Sequence, residues 1–204
     1  MNMNFFKSIL LFVIINLPGK TGDSFRRRYY KKKIQKFGKN IFIDTNVYIS
    51  GFENIEIGDD VWIGKNCIID ASNIESKKLI IEKNSRIQAN SSIYASHGVL
   101  IEKYTSIAEG VKIFSSTHIP NDKKDLSKVV KFEHFNKYKN SPSFEKEIII
   151  GENNFIGLNT IILPGAVLGK NSFVALNSVV MGEFKENSYI TGNPARRIKN
   201  RFEL

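Results

Sequence analysis

The stretch "IGENNFIGLNTIILPGAVLGKNSFVALNSVVMGEFK" occupies residues 150–185. In it Ile150, Ile156, Ile162, Leu168, Val174 and Val180 recur at every sixth place. A period of six suits neither a helix, at about 3.6, nor a simple alternating strand, at about 2. It suits a solenoid whose coil has three short flat sides, with one aliphatic residue per side pointing into a prism. The same beat is kept by Ile57, Ile63 and Ile69, by Ile81, Ile87 and Ile93, and by Ile101, Ile107 and Ile113. A weaker, earlier turn begins near Ile43. The expected fold class is therefore an all-β solenoid in which identical positions stack coil on coil.

Two further positions of the hexad follow a rule. The residue after the aliphatic one is often glycine (58, 64, 151, 157, 169), which we read as serving a tight corner. The fifth position is small or apolar and is expected to point inward: Val61, Cys67, Ser85, Ser91, Thr105, Val111, Ala166, Ser172 and Ser178. Cys67, the one cysteine, is thus read as a small core residue and not as a reactive thiol. A single cysteine also excludes an intrachain disulfide. Trp62, at an outward or corner position, is read as a contact to a neighbouring subunit.

The 204 residues suffice for one sizeable core, and 42% hydrophobic with 25% charged residues is a globular composition. Three segments are expected: a helical, basic lead-in over 1–40, the solenoid over 41–185 with an inserted loop at 119–147, and a cap over 186–204. The net charge of +10 includes "RRRYYKKK" at 26–33, whose plain reading is a solvated basic face. The apolar stretch ahead of it runs about 13 residues from Phe5, short of the ~20 that span a bilayer. Three readings of it stay open: a helix lying on the inner face of the cytoplasmic membrane with the basic block against anionic lipid, a helix packed on a partner subunit, or a signal peptide. Nucleic-acid binding lacks any supporting motif.

The rhythm breaks twice near histidines. "YASHGVL" carries His97 with two extra residues, and "GVKIFSSTHIPND" carries His118 at the start of the long polar insertion, which also holds His134. Taken alone, His118 reads as a polar strand-end residue.

The hexads resemble those of the left-handed parallel β-helix acyltransferases. "GVKIFSSTHIPND" is similar to the catalytic segment of the maltose, galactoside and polysaccharide O-acetyltransferases. Residues 150–200, with "GNPAR" at 192–196, resemble their coenzyme-binding coils and C-terminal cap. The lead-in "LPGKTGDSFRRRYYKKKIQKFGKN" resembles, less specifically, that of members that modify surface polysaccharides.

The resemblance implies a left-handed winding, acetyl-CoA as cosubstrate with no metal, and a homotrimer with active sites at subunit interfaces. It makes His118 the general base that takes the proton of a sugar hydroxyl. The acceptor is then a bacterial surface polysaccharide, a lipopolysaccharide or a precursor of either. Phe155, Ala175 and Leu176 fall at coenzyme-contacting positions. Arg196, Arg197 and Lys199 follow where the adenosine 3′-phosphate needs cations. Gln88 stands where the sugar acetyltransferases carry an acceptor-binding Asn, and His97 and His134 are candidates for lining the acceptor cleft. Phe155 replaces a common Trp, Leu176 a common small residue, and Asn177 a frequent Gly. Rival readings are an amino-sugar N-acetyltransferase and a non-catalytic β-helix. A zinc enzyme of the γ-carbonic anhydrase type is disfavoured because the three histidines lack its spacing.

Overall fold

A computed structural model describes residues 3–72, 77–119, 121, 125, 127–128 and 143–203. Strands of two or three residues stack into three parallel sheets that form the sides of a left-handed prism. The first sheet runs through Lys36–Phe37, Ile55–Ile57, Leu79–Ile81, Val99–Ile101, Ile148–Ile150, Val167–Leu168 and Glu183–Phe184. Its seven strands mark seven coils. Its first strand, Lys36–Phe37, starts the solenoid inside the stretch read as lead-in. The second sheet contains Trp62–Ile63, Arg86–Ile87, Ser106–Ile107, Phe155–Ile156 and Phe173–Val174, and the third contains Ile68–Asp70, Ser92–Tyr94, Lys112–Phe114 and Ile161–Ile162.

The hexad aliphatics fill the prism. Ile43, Ile63, Ile87, Ile107, Ile156, Val174 and Ile190 sit one above another in register down the second sheet, each at most 1% exposed. Burying each such side chain stabilises by roughly 1.5–3 kcal/mol. The fifth-position residues are buried as expected. Their hydroxyls are satisfied by corner carbonyls: Ser85 Oγ donates to Glu102 O, Ser91 Oγ to Ala108 O, and Thr105 Oγ1 to Gly151 O.

The corners work differently from the sequence reading. Hexad glycines such as Gly157 are needed for close approach, because an added Cβ would meet backbone of the next coil at 2.5 Å. The left-handed backbone of the corner falls instead on asparagines, among them Asn66, Asn84, Asn90, Asn153, Asn159, Asn171 and Asn177 (φ 55–60°). Asparagine is one of the few side chains that visits this region routinely. Some of these side chains also form ladders, Asn46 to Asn66 to Asn90 and Asn153 to Asn171, at 2.9–3.0 Å.

The lead-in forms two helices, α1 (Met3–Asn16) and α2 (Gly19–Lys31). α2 closes the open end of the prism with Gly22, Arg26 and Tyr30, which lie on one face. Arg26 is therefore not part of a solvated block. Its Nε donates to Ile43 O at 2.7 Å and its Nη1 to Leu17 O at 2.5 Å. Tyr30 Oη donates to Val47 O at 2.9 Å, and burial pushes its pKa far up. Trp62 stacks on Phe42 of its own chain, centroids 5.7 Å apart, with Arg86 over its ring. At the other end Ser188–Gly192 continues the second sheet, and Ala195–Asn200 returns antiparallel to it as the cap.

Candidate active site

Every departure from the six-residue beat falls on one edge of the prism. The intervals Ile49 to Ile57, Ile69 to Ile81, Ile93 to Ile101 and Ile113 to Ile150 all exceed six, and all connect the third sheet to the first. The other two edges keep strict time. In repeat folds, insertions collected on one face mark the surface that varies with function.

The longest insertion leaves this edge as a two-stranded ribbon. Ser116–His118 pairs antiparallel with Ser143–Glu145, in the register Ser116 with Glu145, Thr117 with Phe144 and His118 with Ser143. Residues directly opposite share a face, and alternate residues along a strand do too. Ser116, His118, Ser143 and Glu145 therefore lie on one face of the ribbon. The His118 side chain is exposed.

His97 lies on the same edge, one coil earlier. Its backbone N–H donates to Ser115 Oγ at 2.9 Å, and its Nε2 is 2.9 Å from Glu145 Oε2. Ser143 Oγ donates to the other carboxylate oxygen of Glu145. His97, Glu145, Lys77, Lys146 and Glu183 wall a cleft of about 300 Å³. Glu145 was missed in the sequence, where "SPSFEKE" has no distinguishing spacing. Only the ribbon register brings it to His97.

The structure separates the other candidates from this edge. Gln88 is half-buried on the edge between the second and third sheets, where its carbonyl accepts from Cys67 Sγ at 3.1 Å. Ala175 and the exposed Leu176 lie on that same edge. Phe155 stands on the outer face of the second sheet, stacked on Phe173 at 5.1 Å, which stacks on Tyr189 at 5.3 Å. In the cap, Lys199 pairs with Tyr189 and Arg196 with Thr191, on this outer face, whereas Arg197 pairs with the inward Ile190. The three cations thus do not form one cluster. Asn177, at φ 55°, supplies the conformation that a glycine would, so that departure from the family pattern is conservative. His134 lies outside the described residues.

The aromatic stack with Arg196 and Lys199 beside it is a donor set that fits a nucleotide carrying phosphate. A larger cleft, about 450 Å³, lies against Lys36, Glu56, Lys83 and Lys103, and His118 is not in its lining. Its Glu56 is tied to Lys78 at 3.0 Å and Lys36 at 3.7 Å, which marks a surface ion-pair network and not a reaction centre. The hydrogen bond from Lys78 is the main cause that holds the Glu56 pKa down. Among the described residues no group of three or more His, Cys, Asp or Glu side chains could hold a metal ion. Cys67 is buried, which pushes its thiol up to about 11.

A family model described as the hexapeptide repeat of succinyl-transferase matches residues 54–77 and 147–181. The chain is also 27% identical over 164 residues to a dTDP-4-amino-4,6-dideoxy-D-glucose acyltransferase of Escherichia coli, covering 80% of this chain and 81% of that one. The chain carries hexapeptide repeats and resembles the acyltransferases built on them. Two solved structures share the fold of this hexapeptide-repeat protein. One is a variant of AntD, an N-acyltransferase from Bacillus cereus in complex with dTDP and coenzyme A (TM-score 0.73, 23% identity, 86% of this chain and 88% of that one). The other is a maltose O-acetyltransferase from Clostridium difficile (TM-score 0.59, 22% identity, 97% and 84%).

Proposed function

We propose that the protein is an acetyl-CoA-dependent O-acetyltransferase whose acceptor is a sugar hydroxyl of a bacterial surface polysaccharide, lipopolysaccharide or precursor. The observation that carries this is the position of His118, exposed on a ribbon that leaves the one irregular edge of the solenoid.

Acetyl-CoA, when bound, supplies the acetyl group as a thioester. Neutral His118 takes the proton of the acceptor hydroxyl as its oxygen forms the ester bond to the acetyl carbon. The carbon–sulfur bond breaks, and His118 passes the proton to the departing thiolate. General-base assistance of this kind is worth about 10²–10⁴-fold. The coenzyme candidates Phe155, Leu176, Arg196 and Lys199 stand on or next to the second sheet, a full side of the prism away from His118. A homotrimer of side-by-side prisms resolves this, with one subunit's His118 edge against its neighbour's coenzyme edge. Gln88 then belongs with the neighbour's acceptor wall.

We assign the lead-in to the inner face of the cytoplasmic membrane. α1 exposes Phe6, Ile9, Leu10, Phe12 and Val13, and α2 presents Lys20, Arg27, Arg28 and Lys31 opposite its buried face. No helix among the described residues is long and apolar enough to cross a membrane.

N-acylation of a nucleotide-linked amino sugar is the second reading, supported by the Escherichia coli relative. Mass spectrometry of surface glycans with and without the protein tests the first. The expected difference is one acetyl group that mild base removes. A base-stable acetyl group supports the amide reading, and no difference refutes both acceptor classes. His118→Ala should abolish transfer without changing the thermal melt. An unchanged rate refutes the base assignment.

A further inference from the structure

The inserted segment is fastened where it leaves the solenoid and where it returns, and one residue touches both places. On the outgoing side, Ser115 is fully buried. Its N–H donates to Tyr94 O at 3.0 Å and its Oγ to the same carbonyl at 3.2 Å. Its Oγ also accepts the backbone N–H of His97 at 2.9 Å. On the returning side, Lys146 N–H donates to Ser115 O at 3.1 Å. Glu145, the neighbour of Lys146, places Oε2 at 2.9 Å from His97 Nε2. His97 therefore holds the outgoing strand by its backbone and the returning strand by its ring.

The two groups are only partly open to water, at 16% for the His97 side chain and 33% for Glu145. Partial burial and a separation of 2.9 Å make such a pair worth more than an exposed ion pair. The ribbon needs it. Its strands are three residues each, and an isolated two-stranded hairpin is marginal in water.

We propose that His97 and Glu145 form a latch that positions His118. The pair pins the root of the ribbon to the coil below, and His118 lies two residues beyond the pinned pair Ser116–Glu145, on the same face. Ser143, directly opposite His118, extends the fastening by donating to Glu145 Oε1. His97 is thus a positioning residue and neither a second base nor an acceptor-binding group. This rests on the assignment of His118 as base only for its catalytic consequence. The fastening itself does not depend on it.

Millisecond amide hydrogen exchange on the full-length protein separates the two. In His97→Ala and Glu145→Ala, peptides containing 116–118 and 143–145 should exchange about tenfold faster, while peptides from the coils at 99–107 and 150–180 keep their rates. His97→Gln keeps an N–H donor for Glu145 and should restore slow exchange. If either alanine variant fails to fold, as the coil peptides will show, Glu145→Gln reports in its place.

Acetyl transfer is then measured with maltose and with dTDP-4-amino-4,6-dideoxyglucose as acceptor probes. His97→Ala should lower kcat with the KM for acetyl-CoA unchanged, and His97→Gln should recover it. Unchanged ribbon exchange in both alanine variants overturns the latch. A loosened ribbon in a protein whose His118→Ala variant still transfers acetyl refutes the base assignment and leaves the latch standing.

Discussion

Replacing Gly157 with alanine puts one methyl group between two coils. The new Cβ would lie 2.5 Å from Leu176 N and 2.8 Å from Ala175 C and Val174 O. Comfortable carbon contacts need about 3.5 Å, so the coils must part by up to about 1 Å. They are stitched there by Gly157 N–H to Val174 O and by Asn177 N–H to Leu158 O, both 2.8 Å. Overpacking of this kind costs about 1–3 kcal/mol. Gly157 is not among the residues of positive φ, so alanine also gains about 0.4–1 kcal/mol by restricting the unfolded chain. The net loss is centred on ~1.3 kcal/mol, or a fall in Tm of roughly 3–5 °C for a chain of this size. The melt should be followed by circular dichroism at one fixed protein concentration, since an oligomer's Tm depends on it. The displaced corner carries Ala175 and Leu176, so the KM for acetyl-CoA should rise as well. Gly182→Ala is the control. Its φ of 82° makes alanine costly, but no atom lies within 4 Å of the added carbon, so Tm should fall with KM unchanged. A Gly157→Ala protein as stable as the parent, with an unchanged KM, would refute the close-approach account.

Two further outcomes follow from the corners and the core. Asn177→Gly should leave stability within about 0.5 kcal/mol and Asn177→Ala should lose about 1–2 kcal/mol, measured by urea unfolding, because the position is left-handed. Cys67 should resist a thiol reagent at pH 8 in the folded protein and react at once in denaturant. Its folded pKa, about 11, lies above the ordinary value of 9.0, so ionisation of the unfolded thiol should erode stability as pH rises from about 9 to 11.

Much of the solenoid was legible because its period is a one-dimensional property. Each hexad aliphatic meets its own equivalents above and below, so Ile107 and Ile156 find each other across the whole insertion. The two residues that fix the corners were read less well. Both glycine and asparagine are permissive residues, and composition does not reveal which of the two turns the chain at the corner and which lets the coils approach. Arg26 was read with its charged neighbours. Burial was decided by helical phase against the prism end, where Gly22, Arg26 and Tyr30 come into line.

By itself the sequence determined the fold class, the inward residues and the place where the rhythm fails at His118. These depend on local spacing and on the identity of side chains that must leave water. Tertiary structure alone decided that all the irregular intervals share one edge, that Gln88 and Leu176 stand on another, and that Glu145 reaches His97. Such relations arise from coil registration and ribbon pairing across distant segments, and no short window of sequence encodes them.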